Sequence, residues 1–254
     1  MVSNNVGYEG AAEFYDFFAD NSDIPFYVSY AHETGSPILD LAAGTLRVTV
    51  PLAKEGFRVF ALEKSPSMLS IARNKLDRLT EPAENRITLV EGDMTNFGFD
   101  ITFSLIIIPA SFGYAVTTEE QLSTLVSIRE HLRDDGLFLL DLYPGVLHDQ
   151  ESEWENEPVE LPDGRTVSRR GKAKVDRVEQ RQDVNIEYRI SGGEDNVDEI
   201  VEVESSVAII YNREADLLVK MAGFDVVEEF GGFGKEPYEP ESTRRILVLQ
   251  KENE

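Results

Sequence analysis

Apolar residues in the first part of this chain alternate between short continuous runs and stretches with helical spacing. The runs are too short for helices and have the length and composition of buried strands. They are Ile38 to Leu41, Arg58 to Leu62, Ile87 to Val90, Asp100 to Ile108 and Leu137 to Leu142. The helical stretches are Tyr8 to Ala19, which is rich in aromatic residues, Val48 to Glu55, Pro66 to Leu79 and Thr118 to Leu132. This alternation predicts an α/β fold with a mostly parallel sheet and helices on both faces.

From Gly145 to about Tyr211 the helical pattern gives way to polar-rich segments in which apolar and polar residues alternate. The predicted strands are Thr166 to Val175, Val184 to Ile190 and Asp198 to Ile210. A helix from Arg213 to Ala222 and two strands, Phe224 to Phe230 and Arg245 to Gln250, follow. We therefore divide the chain into residues 1–145 (N-terminal helices and core), 146–212 (an inserted antiparallel sheet) and 213–254 (the helix and strand pair that complete the core).

The charge of the chain excludes some partners. The sequence has 48 Asp and Glu against 24 Lys and Arg, which gives a formal net charge of −24. Phosphates would be repelled, so we expect no nucleic-acid partner; the charge suits either solubility or a salt-rich cytoplasm.

No cysteine is present, which excludes disulfides and cysteine–metal sites. The apolar runs are too short for a membrane span, and Met1 to Gly10 lacks a signal-peptide pattern. We expect a cytoplasmic monomer or homodimer.

Acidic residues and a small-residue turn mark a nucleotide site. The strand Ile38 to Leu41 is followed by Ala42, Gly44 and a predicted helix, as in a nucleotide-binding crossover. Glu63 ends the second strand and lies 23 residues after Asp40, close to the spacing expected for a ribose-binding acid. Asp93 follows the third strand and is placed to reach an adenine amino group.

Three runs carry a resemblance to a known family. They are Leu39-Asp40-Leu41-Ala42-Ala43-Gly44-Thr45, Ala61-Leu62-Glu63-Lys64-Ser65-Pro66-Ser67-Met68-Leu69 and Glu91-Gly92-Asp93-Met94. Their order and spacing resemble class I S-adenosylmethionine-dependent methyltransferases of the small-molecule type, over about Phe26 to Tyr143 and Ala215 to Lys251. The resemblance implies a Rossmann-like seven-stranded sheet, with S-adenosylmethionine as the cofactor.

The resemblance also implies site residues. Tyr15 is expected to close over the cofactor, and Arg47 to pair with the methionine carboxylate or with a surface acid. The cofactor-binding residues expected are Tyr15, Asp40, Ala42, Gly44, Arg47, Glu63, Lys64, Met68, Asp93, Met94 and Pro109. Phe112, Tyr114 and Tyr143 are expected to line the acceptor pocket. The catalytic residue is unknown; Tyr15, Tyr114, Tyr143 and His148 are candidates, and the three histidines lack metal-type spacing.

Leu46 departs from the family pattern, which has glycine at this position of the turn. Its side chain packs outward, narrows the methionine pocket or weakens the site. The function predicted is in-line methyl transfer to a nitrogen or oxygen of a small-molecule acceptor. The alternatives are a non-catalytic protein that binds S-adenosylmethionine or S-adenosylhomocysteine, and an NAD-dependent dehydrogenase. The turn lacks the three-glycine fingerprint of the latter.

Overall fold

The computed structural model describes residues 4–143, 151–192 and 199–252. The strands are β1 (Asn4–Val6), β2 (Ile38–Leu41), β3 (Val59–Glu63), β4 (Ile87–Glu91), β5 (Phe103–Ile108), β6 (Leu132–Leu142), β7 (Glu151–Glu160), β8 (Thr166–Asp176), β9 (Arg181–Ser191), β10 (Glu199–Ala208), β11 (Phe224–Phe230) and β12 (Arg245–Lys251). The α-helices are α1 (Tyr15–Phe18), α2 (Ile24–Thr34), α3 (Thr49–Lys54), α4 (Pro66–Leu76), α5 (Thr118–His131) and α6 (Asn212–Met221).

Seven strands form the core sheet, in the order β11-β12-β6-β5-β2-β3-β4. The five strands from β6 to β4 in this order are parallel, while β12 runs antiparallel to both β6 and β11. Every residue of β5 is buried. Ile106 and Ile108 pack in one apolar cluster and Leu105 and Ile107 in another, because successive side chains of a strand point to opposite faces. The predicted Rossmann-like fold is confirmed.

A second sheet has the order β1-β10-β9-β8-β7, in which β7 to β10 pair antiparallel. It matches the antiparallel sheet predicted from the alternating pattern, with two additions. The strand β7 is rich in glutamate and mostly exposed, so its sequence has no apolar periodicity to indicate it. The strand β1 pairs in parallel with β10, which joins the start of the chain to this sheet.

The predicted helix from Tyr8 to Ala19 is wrong for most of its length. A 3₁₀ turn at Ala12–Phe14 and the four-residue α1 replace it. Gly7 and Gly10 have φ of +68° and +84°, which are incompatible with a right-handed helix, so no helix forms before the 3₁₀ turn. Phe14 stacks on Tyr188 of β9 at 5.6 Å between ring centres, so it packs against the second sheet.

Candidate cofactor and acceptor site

A cleft of about 1570 Å³ lies between the core and the second sheet. On the core side it is lined by residues at the carboxyl ends of the parallel strands, where ligands of open α/β sheets bind. Glu63 at the end of β3 and Asp141 near the end of β6 are examples. On the other side it is lined by residues of β7 to β10, among them Lys172, Val184 and Ser206. The second sheet therefore roofs the cleft.

The turn after β2 has an alternating backbone conformation. Ala42, Gly44 and Leu46 have φ of +52°, +57° and +68°, in the left-handed region that favours glycine. Ala42 and Gly44 line the cleft, and a Cβ at Gly44 would point toward the Met68 sulfur, 4.0 Å away. The Leu46 side chain is fully buried with Ala43, Ala61 and Ala72. Of the three alternatives for Leu46, the structure therefore has the side chain packed away from the cleft.

The carboxylate of Glu63 joins β3 to this turn. Its Oε2 accepts from the Gly44 N–H at 2.8 Å, and its Oε1 accepts from the N–H groups of Lys64 and Ser65 at 2.9 and 2.8 Å. The side chain is almost completely buried and lines the cleft. Three backbone donors thus fix the carboxylate without using all its acceptor sites, and its remaining lone pairs are available to a ligand hydroxyl.

Asp40 lies beneath the turn and does not line the cleft. Its Oδ2 accepts from the Thr49 hydroxyl at 2.6 Å, whereas Oδ1 is buried and has no hydrogen-bond partner among the described residues. Burial raises the pKa of Asp40 to about 7, against the opposing hydrogen bond from Thr49. A carboxyl group with these surroundings gains a proton more easily than an exposed one, because the buried charged form has only one hydrogen-bond donor among the described residues.

Arg47 lines the cleft and forms an ion pair with Asp23, the residue before α2. The guanidinium donates to the two Asp23 oxygens at 2.5 and 2.7 Å and to the Asp20 carbonyl at 2.8 Å. Both charged side chains are largely buried, so the pair is not the solvent-facing bridge of the alternative prediction. Burial alone would lower the pKa of Arg47, but the hydrogen bonds and charge of Asp23 hold it above its ordinary value.

The other residues expected to bind the cofactor divide into two groups. Lys64, Met68, Met94 and Pro109 line the cleft, and the two methionines are buried. Asp93 is outside the lining, with its Oδ1 accepting from the backbone and hydroxyl of Thr95, both at 2.9 Å. These bonds and the ammonium of Lys64, 3.3 Å from Oδ2, hold the pKa of Asp93 below its usual value although burial opposes this. An adenine contact from Asp93 stays a prediction.

Tyrosines form much of the acceptor side of the cleft. Tyr15, Tyr114 and Tyr143 line it, as does Tyr8, which packs edge-to-face on Tyr15 at 5.2 Å. Burial raises the pKa of Tyr8 and Tyr114, so these phenols are neutral at pH 7. Phe112 is buried in the core cluster and is not part of the lining. His148 lies outside the described residues.

Three residues that the sequence did not indicate contribute to the same region: Asp141, Arg244 and Glu9. Asp141 is 2% exposed, and its carboxylate accepts from Arg244 Nη1 at 3.0 and 3.2 Å and from the Ala110 N–H at 3.1 Å. Burial raises the pKa of Asp141 to about 6, although the Arg244 charge opposes the shift. Glu9 accepts from the hydroxyls of Ser65 and Ser67 at 2.5 and 2.6 Å and so attaches the N-terminal segment to α4.

Neither a metal site nor a membrane span is found in the part of the chain that the structure describes. No group of three acidic or histidine side chains there could hold a metal ion. No described helix combines the length and apolar character needed to cross a bilayer.

An open parallel sheet with a left-handed turn after its first strand, an acid after its second and a large cleft at their carboxyl ends defines a nucleotide-binding α/β protein. The cleft fits a cofactor with a sugar and an aromatic base. Glu63 has free acceptor sites for sugar hydroxyls, Gly44 leaves open space beside the backbone, and Met68 and Met94 offer apolar surface for a base.

Comparisons with known proteins narrow this class. Residues 38–136 match a family model described as a methyltransferase domain. A 157-residue alignment with the dTDP-3-amino-3,4,6-trideoxy-alpha-D-glucopyranose N,N-dimethyltransferase of Streptomyces venezuelae shows 33% identity. It spans 61% of this chain and 62% of that relative, which is less than two thirds of the relative's length. The Cypemycin N-terminal methyltransferase of Streptomyces sp is 27% identical over 99% of this chain and 100% of its own length.

The solved structure of the CcbJ methyltransferase from Streptomyces caelestis has the same fold, with a TM-score of 0.78 and 22% identity over 95% of this chain and 96% of that one. These findings give residues 38–136 a methyltransferase domain and support the resemblance to the class I S-adenosylmethionine-dependent methyltransferases. The resemblance seen in the sequence is confirmed, and S-adenosylmethionine is the cofactor of the family.

Proposed function

We propose that this protein transfers a methyl group from S-adenosylmethionine to the nitrogen of an amine, carried by a small molecule or by the amino terminus of a short peptide. The two relatives are named for N,N-dimethylation of an amino sugar and for methylation of a peptide N-terminus. Because both names describe transfer to nitrogen, they support an amine over a hydroxyl as the acceptor.

The observation that carries the proposal is the charge of the cleft. Among the described residues that line it, acidic side chains outnumber basic ones by seven to four. Ion pairs with residues outside the lining neutralise two side chains of each sign, which leaves the acidic excess unchanged; the pairs are Arg47–Asp23, Lys64–Asp93, Asp141–Arg244 and Asp183–Arg181. Methyl transfer to an amine moves positive charge from sulfur to nitrogen, so an acidic environment favours both the cationic donor and the cationic product.

The residues then divide the work between positioning and charge. Bound S-adenosylmethionine supplies the activated methyl group. Glu63 holds the ribose hydroxyls, and Arg47 and the turn at Ala42 and Gly44 hold the amino-acid end of the cofactor. Tyr15 and Tyr114 orient the acceptor amine by accepting its N–H hydrogens at their phenol oxygens.

The test compares acceptors that differ only at the reacting atom. Calorimetry with S-adenosylhomocysteine first measures cofactor binding. The purified protein is then incubated with labelled S-adenosylmethionine and with pairs of acceptors, an amino sugar against its hydroxyl analogue and a free peptide against its N-acetylated form. We expect label in the amine of each pair alone.

Equal labelling of amine and hydroxyl analogues would contradict transfer to nitrogen. Cofactor binding with no transfer to either class would favour the non-catalytic alternative. A preference for NAD over S-adenosylhomocysteine would favour a dehydrogenase.

A further inference from the structure

Arg244 lies just before β12 and makes two contacts with the acceptor side of the cleft. Its Nη1 donates to both oxygens of Asp141, at 3.0 and 3.2 Å. Its guanidinium carbon also lies 3.9 Å from the centre of the Tyr143 ring, within the range of a cation–π interaction. Asp141 and Tyr143 line the cleft, whereas Arg244 does not. One guanidinium outside the lining therefore contacts two side chains that line the cleft.

The two lining groups depend on this cation in different ways. Asp141 is almost completely buried, and a buried carboxylate needs a partner to remain charged. Tyr143 is 58% exposed and follows the last residue of β6, so few neighbours hold its ring. The described contact that restricts this ring is its stack on Arg244. The guanidinium carbon of Arg244 also lies 5.4 Å from the ring centre of Phe233, in the segment between β11 and β12.

We propose that Arg244 is a positioning residue that holds the Asp141 carboxylate and the Tyr143 ring in place as one wall of the acceptor pocket. This inference rests on the proposed amine methyltransferase function, because an acidic and aromatic wall stabilises the positive charge that develops on the acceptor nitrogen as the methyl group is transferred. None of the residues expected to bind the cofactor contacts Arg244 through a described hydrogen bond or ion pair. The effect of Arg244 is therefore confined to the acceptor.

Arg245 is a matched control one residue away. It also pairs with carboxylates, donating to Asp216 at 2.6 Å and Glu229 at 2.7 Å, and it stacks on Tyr238 at 5.5 Å. Adjacent residues of a strand point to opposite sides, so its partners lie on α6 and β11 and away from the cleft. The same Arg→Lys change at the two positions thus separates effects on the acceptor wall from effects on stability.

The experiment measures methyl transfer by Arg244→Lys, Arg245→Lys, Tyr143→Leu and the double variant Arg244→Lys/Tyr143→Leu. Lysine keeps the charge and a single nitrogen that can donate to Asp141, as Arg244 Nη1 does, but it loses the planar stack on Tyr143. We expect Arg244→Lys to raise the acceptor KM by about tenfold, with unchanged affinity for S-adenosylhomocysteine. Arg245→Lys should leave both values unchanged. In the double variant the effect of Arg244→Lys should be largely lost, because its partner ring is absent.

A second measurement does not need turnover. In a Trp154→Phe background, Tyr143→Trp places the one tryptophan of the chain at the stacked position. We expect Arg244→Lys to increase acrylamide quenching of that tryptophan and to lower its fluorescence anisotropy, whereas Arg245→Lys changes neither. An unchanged acceptor KM, additive effects in the double variant or unchanged fluorescence would overturn the inference. An inactive wild type would instead contradict the proposed function, and the fluorescence would still decide whether Arg244 holds the ring.

Discussion

Glu63→Gln is the change that tests the cofactor side of the site most directly. The carboxylate accepts three backbone N–H groups, two at Oε1 and one at Oε2. A glutamine has one oxygen acceptor and one NH₂ donor. If its oxygen keeps the N–H groups of Lys64 and Ser65, its NH₂ faces the Gly44 N–H, and two donors oppose each other.

The magnitude follows from these contacts. One charge-assisted hydrogen bond is lost and two are reduced to neutral ones, in a side chain that is 6% exposed. Hydrogen bonds to a charged group contribute about 1.5–3 kcal/mol, so we expect Glu63→Gln to lower the free energy of unfolding by about 2–4 kcal/mol. The loss of one such bond to a ribose hydroxyl would weaken S-adenosylhomocysteine binding by about 10- to 100-fold.

Glu91→Gln is the control, because Glu91 pairs with Glu63 in the β3–β4 register. The Glu91 side chain is 65% exposed and contacts Arg73 at 3.3 Å, so its replacement should change stability by less than about 0.5 kcal/mol. Urea denaturation measures stability, and calorimetry measures binding. Equal values for the two variants would show that the buried carboxylate neither supports the turn nor holds the sugar.

Three further predictions concern the turn and the N-terminal segment. Burial raises the pKa of Asp40 to about 7, so as the pH rises the unfolded chain loses this proton before the folded chain does. The stability of the wild type relative to Asp40→Asn should therefore fall as the pH rises from about 4 to about 7. Urea denaturation at pH 5 and pH 8 measures this difference, and the opposite trend would refute the prediction. Ala42→Gly should raise the free energy of unfolding by up to about 1 kcal/mol, because glycine adopts the positive φ of this position without strain. Leu46→Gly should lower it by about 1–3 kcal/mol, because the loss of the buried side chain exceeds the same relief of strain. Denaturant midpoints of the two variants would check this order. Glu9→Gln weakens the hydrogen bonds from the Ser65 and Ser67 hydroxyls, so amide hydrogen exchange of residues 7–11 should accelerate about fivefold. Unchanged exchange would show that Glu9 does not anchor this segment.

The parts of this molecule that could be predicted from sequence depend on local information. A buried strand, a small-residue turn and an acid one strand later lie within about 25 residues, and sheet geometry alone brings Glu63 to the turn at Gly44. Continuous apolar runs indicate β2, β5 and the second half of β6, because these segments are buried on both faces. The family, the fold and the cofactor followed from these signals.

The remaining features depend on contacts between distant parts of the chain. Asp141 and Arg244 are 103 residues apart, and nothing in either neighbourhood predicts their pairing. The strand β7 is exposed and charged, so it lacks the apolar pattern by which strands are recognised. The aromatic residues of the N-terminal segment suggested a helix, but Phe14 packs on Tyr188 of the second sheet, a contact that helical periodicity does not encode.

The N-terminal segment links the cofactor and acceptor sides of the cleft. Its strand β1 pairs with β10 in the roof, Glu9 bonds to the start of α4, and Asp16 accepts from the Thr45 hydroxyl at 2.6 Å beside the cofactor turn. Tyr8 and Tyr15 lie between these anchors and line the cleft. Because this segment borders the cleft, loosening any of the three anchors should disturb the tyrosine wall and speed cofactor exchange together. The two effects are coupled because the same backbone carries both.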